Sequence, residues 1–253
     1  MIVHPAPVKN RKYYLFEDFP GQNLFCAFTT RISGNMSLFY GDTAHVRENR
    51  ESFLKELSIE YRDLVCAKQV HASTVKYVQE ADKGKGALSY ESSVPDTDAL
   101  ITNKKNVPLS VFTADCLSVF LYDPKTHSIG LAHAGWRSSK DNIAAKTVKL
   151  MQEEFSTRAE DLYAGFGPAI KDCCYEVGGK FADFFAPEYS IKRGGRNYLD
   201  LTGVNKKQLL TQGVKDKNIF DHKICTACHS EEFFSYRREG NGCGRMMSVM
   251  MLR

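Results

Sequence analysis

Residues 113–137, TADCLSVFLYDPKTHSIGLAHAGWR, constrain the fold more than any other stretch of this chain. Two β-rich apolar runs, 117–122 and 128–133, flank Asp123-Pro124-Lys125-Thr126-His127. Val, Phe, Tyr and Ile favour extended backbone, and proline presets φ at a turn, so the stretch reads as a β-hairpin. A hairpin returns the chain to where it began. Cys116, just before the first strand, is therefore expected beside His133 at the end of the second.

A third soft donor, His71, lies in AKQVHAS at a bend between strand-like segments 64–70 and 74–78. One thiolate and two imidazoles form a donor set that zinc accepts, and three protein ligands leave a fourth position for water or substrate. An ion held this way activates water near neutral pH. Asp115, next to the cysteine, is placed to orient a ligand or to accept a proton. The Cys116–His133 pair also fits a metal-free dyad, a thiolate activated by imidazole. Three ligands this far apart form no compact motif, so spacing leaves both readings open. After His133 come Ala134-Gly135-Trp136-Arg137 and a helix start, where free N–H groups and the guanidinium suit a phosphate. Packing of Arg137 on Trp136 is the competing reading.

The hairpin is the centre of an irregular order of elements. Strands are expected at 24–31, 99–102, 109–114, 162–166 and 246–252, with a turn at 32–35. Helices are expected at 47–57, 139–154, 180–185 and 201–212. The second is capped by Ser138, with Asp141 three residues on, and the last is closed by Gly213. No regular βαβ rhythm emerges, so the fold class is α+β: one layered domain over 1–253, with mixed sheets and outer helices.

A chain of 253 residues can bury a core without disulfide staples. The net charge of +4 is spread along it with no run of five like charges, which gives no nucleic-acid arm. No apolar run of about eighteen residues is present to span a membrane. Pro5 and Pro7 interrupt the N-terminal stretch where a signal peptide needs apolar continuity, so a cytoplasmic protein is expected. Its eight cysteines should then be thiols, available for metal or catalytic use.

Two patterns mislead. Cys225-Thr226-Ala227-Cys228-His229 matches the haem-attachment spacing, which requires an exported protein. A structural zinc on Cys225, Cys228, Cys243 and one of Cys173 or Cys174 is not expected, because the second pair lacks C-x-x-C spacing. A multicopper oxidase centre needs many histidines, usually in H-x-H pairs, and the chain has seven with no such pair. A single copper on His₂Cys remains the alternative metal.

The chain resembles the YfiH, or laccase-domain, family of purine nucleoside phosphorylases along most of its length. The matching blocks are AFTTR (27–31), ENR (48–50), KQVH (68–71), TDALIT (97–102), TADC (113–116) and LAHAGWR (131–137). They continue through GPAI (167–170), CYEVG (174–178), LDL (199–201), CT (225–226), FFSYRR (233–238) and GRM (244–246). The resemblance implies a layered α/β domain related to a bacterial toxin's cysteine-hydrolase domain, with zinc ligands on His71, Cys116 and His133. It implies phosphate-dependent cleavage of adenosine, inosine and methylthioadenosine, with adenosine deamination as a companion reaction. Older labels call such proteins polyphenol oxidases or laccases. Arg31, Arg137 and Arg237 stand in matched blocks and are candidates to grip phosphate. Three departures are expected at the substrate cavity: Ser33-Gly34 for a double glycine, YGDTAHV at 40–46 without Asn-Leu-Gly, and Ser138 for glycine.

Overall fold

The computed structural model describes residues 11–21 and 23–253. The expectation drawn from Pro5 and Pro7 lies outside the described residues. The hairpin forms as read, from Leu117–Asp123 and Ser128–Ala134, with Leu117 opposite Ala134 and Asp123 opposite Ser128. It is the centre of a six-stranded mixed sheet. Tyr163–Phe166 and then Ile219–Asp221 extend it on one side, Ala99–Thr102 and then Val75–Tyr77 on the other, and both outermost pairings are parallel. A five-stranded sheet runs in the order Tyr13–Leu15, Leu24–Thr29, Met246–Leu252, Leu109–Thr113, Val65–Cys66. A small antiparallel sheet joins Glu176–Val177, Arg196–Leu199 and Ser190–Arg193. The class is mixed α/β, with several sheets and helices.

The period-two geometry of the hairpin explains the layering. Leu117, Val119 and Leu121 face the helix Ile143–Phe155, in a core with Ala144, Val148 and Met151. Phe120 and Tyr122, with Ile129 and Leu131, face the five-stranded sheet and meet Leu109, Val111 and Met250. All seven residues of each hairpin strand are buried, which is why apolar residues occupy both faces instead of alternating with exposed polar ones. Beyond the five-stranded sheet, Met247, Val249 and Met251 pack on Phe53 and Leu54 of the helix Thr43–Glu56. The layers run helix, sheet, sheet, helix. Each wholly buried side chain such as Phe120 contributes roughly 1.5–3 kcal/mol of transfer free energy.

Several boundaries differ from the sequence reading for identifiable reasons. The expected helix at 139–154 is two helices, Trp136–Lys140 and Ile143–Phe155, separated by Asn142 in the left-handed region (φ 63). Ser138 therefore lies inside the first helix instead of capping the second, and its hydroxyl donates to the carbonyls of His133 and Gly135. The helix expected at 47–57 instead begins at Thr43, because the Asp42 carboxylate accepts from Ala44 and His45 N–H. Ladder pairing in the expected strand 64–70 ends at Cys66. The Gln69 side chain then takes over, donating to the Phe112 carbonyl and accepting its N–H, which frees the backbone to bend towards His71. The strand pair 190–199 went unread although Gly194-Gly195, at φ 55 and 76, is the dipeptide a two-residue hairpin turn favours. The short helix near 180 is Gly179–Ala182. Leu201–Thr211 forms as expected, capped by Asp200 and followed by Gly213 at φ 99. Among the described residues, no helix is long and apolar enough to cross a membrane.

Candidate metal centre and substrate cavity

Cys116 stands at the mouth of the hairpin, in the tight connection from Leu109–Thr113, and His133 sits one position before the far strand's end, opposite Ser118. His71 arrives from the bend after Gln69. One donor atom from each of the three lies within 4.8 Å of the others. His71 Nε2 is 3.9 Å from Cys116 Sγ, and the two imidazole rings meet edge to face at 4.8 Å. His133 is almost wholly buried, Cys116 half-buried and His71 exposed, so the trio opens on one side. That is the arrangement of a site with an accessible coordination position.

Asp98 organises this trio, and the sequence reading assigned it no role. Its carboxylate is wholly buried. One oxygen accepts from His133 Nδ1 at 2.7 Å and from the His71 N–H at 3.0 Å; the other accepts from Val70 and Ala72 N–H at 3.2 and 2.8 Å. One side chain thus fixes the ring of His133, leaving Nε2 for the site, and holds the loop that carries His71. That loop needs holding, because His71 adopts a left-handed φ of 58°, a conformation that strains a non-glycine residue by about 1–3 kcal/mol. Burial opposes ionisation of Asp98, but the hydrogen bond and charge of His133 with the backbone N–H groups keep its carboxyl below the usual range. The available signal was Thr97-Asp98 opening a buried strand, a costly place for a carboxylate without partners.

The trio polarises itself. Burial alone would raise the Cys116 thiol, yet the charge and hydrogen bond of His133, with His71, bring it down to about 6. Burial would lower His133, but the Cys116 charge and the Asp98 hydrogen bond push it up to about 10. Both shifts favour the thiolate of Cys116, the form a metal binds, whereas His133 must give up its Nε2 proton to serve as a ligand. Gly135 allows the close packing. A methyl group there would lie 2.9 Å from His71 Cδ2 and 3.1 Å from Cys116 Sγ.

A cavity of about 790 Å³ opens over the trio, within the range of small-molecule sites. Tyr40, Tyr90, Phe112, Trp136, Tyr175 and Tyr236 supply aromatic wall, and Arg137 and Arg237 reach it. Arg137 stacks over Trp136 at 4.4 Å, so the packing reading of this residue and its cavity position hold together. Arg237 lies over Tyr175 at 5.3 Å. Burial and the Cys116 charge push the Tyr175 phenol up, so it stays a hydrogen-bond donor. Arg31 is placed differently: it is not part of the wall, and it donates to the Ser230 carbonyl at 2.6 Å and pairs with Glu239 at 3.3 Å. Arg245, which no motif argument selected, lines the cavity and covers the Tyr40 ring at 4.1 Å.

Asp115, at φ 89, has its carboxylate engaged by Thr226 Oγ1 (2.6 Å), Ser235 Oγ (3.0 Å) and the Arg237 N–H (2.7 Å). All three donors belong to the segment that carries Arg237. Of the three departures expected at the cavity, only Tyr40 lines it. Ser33-Gly34 lies away from it, with Gly34 (φ 79) against Asn49, and the Ser138 hydroxyl is spent on two carbonyls.

Residues 28–253 match the family described as multi-copper polyphenol oxidoreductase laccase. The chain is 34% identical over 225 residues to the protein named purine nucleoside phosphorylase YlmD of Geobacillus stearothermophilus, covering 85% of this chain and 82% of that one. It is 30% identical over 220 residues to a protein named adenosine deaminase RL5 from an unknown prokaryotic organism, covering 83% and 84%. The crystal structure of YlmD from Geobacillus stearothermophilus superposes with a TM-score of 0.89 at 32% identity, across 94% of both chains. Matched blocks, near-complete coverage and a shared fold agree, and the chain belongs to this laccase-like family, of which YlmD is a member.

Proposed function

We propose that this protein is a zinc-dependent purine nucleoside phosphorylase that cleaves adenosine, inosine and methylthioadenosine with phosphate, and that it also deaminates adenosine. The observation that carries the reading is the convergence of His71, Cys116 and His133 beneath an aromatic cavity whose lining includes Arg137 and Arg237. The names of its relatives, a phosphorylase and a deaminase, support the same assignment. In phosphorolysis an oxygen of the hydrogen phosphate bonds to C1′ as the C1′–N9 bond breaks, and the departing purine takes the electron pair and the proton that the hydrogen phosphate gives up. Arg137 and Arg237 hold the phosphate as a dianion, and the aromatic wall takes the purine face. Asp115 acts through Arg237, by fixing the backbone from which it projects. His71, Cys116 and His133 would hold the zinc, which when bound supplies Lewis acidity at the reacting centre. Soft sulfur with two imidazoles suits zinc, and Gly135 leaves room for three ligands to close together.

Copper chemistry of the multicopper type lacks its ligands. His45, His222 and His229 lie against Asp42, Asp18 and the Cys225 carbonyl, and among the described residues no further histidine cluster exists. A single copper on the trio, acting as a phenol oxidase, is the alternative enzyme; a zinc-stabilised binding protein is the alternative without catalysis. Zinc-loaded protein incubated with adenosine, with and without phosphate, tests the assignment. Adenine and ribose 1-phosphate should form only with phosphate, and inosine in either case. Oxygen consumption with phenols by the copper form, or zinc binding with no nucleoside turnover, would overturn it.

A further inference from the structure

We propose a second metal site, a tetrathiolate zinc held by Cys173, Cys174, Cys225 and Cys228 behind the cavity wall. One sulfur from each of these four residues lies within 4.8 Å of the others. Cys174 Sγ and Cys173 Sγ lie 3.3 and 3.6 Å from Cys228 Sγ. A tetrahedral ion with bonds of about 2.3 Å separates its sulfurs by about 3.8 Å, so both contacts are close to coordination edges. A disulfide explains the cluster less well. Its sulfurs bond at about 2.05 Å, and Cys228 could join only one of its two neighbours, leaving two thiols crowded against the bridge. Cys243 is not part of the group: its sulfur accepts from Arg245 at 2.9 Å. His229 is not part of the group either: the set of donor atoms within 4.8 Å of one another holds the four cysteines alone. The C-x-x-C that resembles a haem signature is therefore half of a four-sulfur set whose other half is a vicinal pair. No spacing rule joins Cys173-Cys174 to Cys225 and Cys228, and it is the fold that closes them together.

Burial and the neighbouring cysteines push the Cys173 and Cys174 thiols up, whereas backbone N–H groups bring Cys225 down. The Lys171 N–H points at Cys225 Sγ at 3.5 Å. Guanidiniums surround the two turns: Arg237 donates to the Cys174 carbonyl at 3.5 Å, Arg238 to the Ala227 carbonyl at 3.0 Å, and Arg193 to the backbone and side chain of Asp172. Four thiols release four protons to bind one zinc ion; of the guanidiniums at the turns that carry the resulting double negative charge, Arg193 and Arg238 are also paired with Asp172 and Glu239, and Arg237 donates to the Cys174 carbonyl. The two turns are otherwise linked by the Ala169–Cys225 bridge, with the Thr226 N–H on the Ala169 carbonyl at 3.1 Å and the Ala169 N–H on the Ile224 carbonyl at 3.3 Å, and by the Lys171–Asp221 ion pair at 3.0 Å. The first turn leads directly into Tyr175 and the second into Thr226, which holds Asp115. A zinc here would staple the cavity wall from behind, as a closed structural site, with no coordination position left for substrate.

Metal counting on the full-length protein, purified under reducing conditions and saturated with zinc, tests this. The wild type should retain two zinc ions per chain. Cys173→Ser/Cys228→Ser should lose one, and His71→Ala/Cys116→Ala should lose the other, so failure of one site is distinguishable from failure of the other. Cobalt loaded into His71→Ala/Cys116→Ala should give the strong thiolate charge-transfer bands of a four-sulfur tetrahedral site, a readout that does not require the cysteine variant to fold. Zinc content unchanged by Cys173→Ser/Cys228→Ser, weak single-thiolate cobalt bands in His71→Ala/Cys116→Ala, or a Cys173–Cys228 or Cys174–Cys228 disulfide in the reduced preparation would overturn the proposal.

Discussion

Asp98→Asn should damage the metal centre without touching any proposed ligand. The substitution keeps size and shape but turns one of two acceptor oxygens into a donor. Each carboxylate oxygen now accepts two bonds, His133 Nδ1 with the His71 N–H on one and the Val70 and Ala72 N–H groups on the other. Either amide orientation therefore leaves two buried donors facing an NH₂ group. Each unsatisfied buried donor costs about 1–3 kcal/mol, so a loss of about 2–6 kcal/mol is expected before relaxation. For a chain of this length each kcal/mol moves Tm by about 2–4 °C, which puts the fall near 10 °C for a mid-range loss. Zinc affinity should drop by about 10–100-fold, the scale seen when a ligand-orienting partner is removed. Thermal unfolding of the metal-stripped protein and zinc competition against a chromogenic chelator measure the two effects separately. The Asp98 contribution is fully present above the ordinary carboxyl range and is lost as pH falls through the lower folded value, so the difference between variant and wild type should shrink in acid. Unchanged Tm with zinc affinity within twofold of wild type would refute this account of Asp98.

Three further outcomes follow from the same geometry. Gly135→Ala places a methyl group against His71 and Cys116, so zinc affinity should fall on the order of tenfold while the fold survives; circular dichroism with metal titration checks both. In metal-stripped protein, alkylation of Cys116 mapped by mass spectrometry should rise with a midpoint near 6, and His133→Ala should move that midpoint up towards the ordinary thiol value. The stabilisation from the Cys116 thiolate is present above its unfolded range and lost as pH falls through about 6. That from His133 is present below its unfolded range and lost as pH rises through about 10. Arg137→Ala and Arg237→Ala should each raise the phosphate KM by about tenfold or more, as loss of a charge-assisted contact would. Arg31→Ala should leave KM near wild type, since that guanidinium is committed to Glu239 and a carbonyl.

Local chemistry made much of this architecture readable from residues alone. The hairpin, the apolar C-terminal strand and the face of Ile143, Thr147, Met151 and Phe155 follow from side-chain periodicity and turn residues. The same locality placed Cys116 near His133, because a hairpin is a short-range structure whose ends must meet. The short strand Glu176–Val177 resisted such reading, because its pairing with Arg196–Leu199 depends on a partner distant in the chain. The helix break at Asn142 is a matter of one residue's φ, which composition does not announce.

Residue types and spacing were enough to identify the soft donors and the hairpin that pairs two of them. Whether His71 reaches that pair, which carboxylate orients it, which arginines line the cavity and how two cysteine pairs some fifty residues apart come together all depended on long-range packing. The physical reason is separation along the chain. Contacts between neighbours in sequence are dictated by backbone sterics and periodicity, whereas those between distant segments exist only after burial of the two sheets against each other has fixed where every loop must lie.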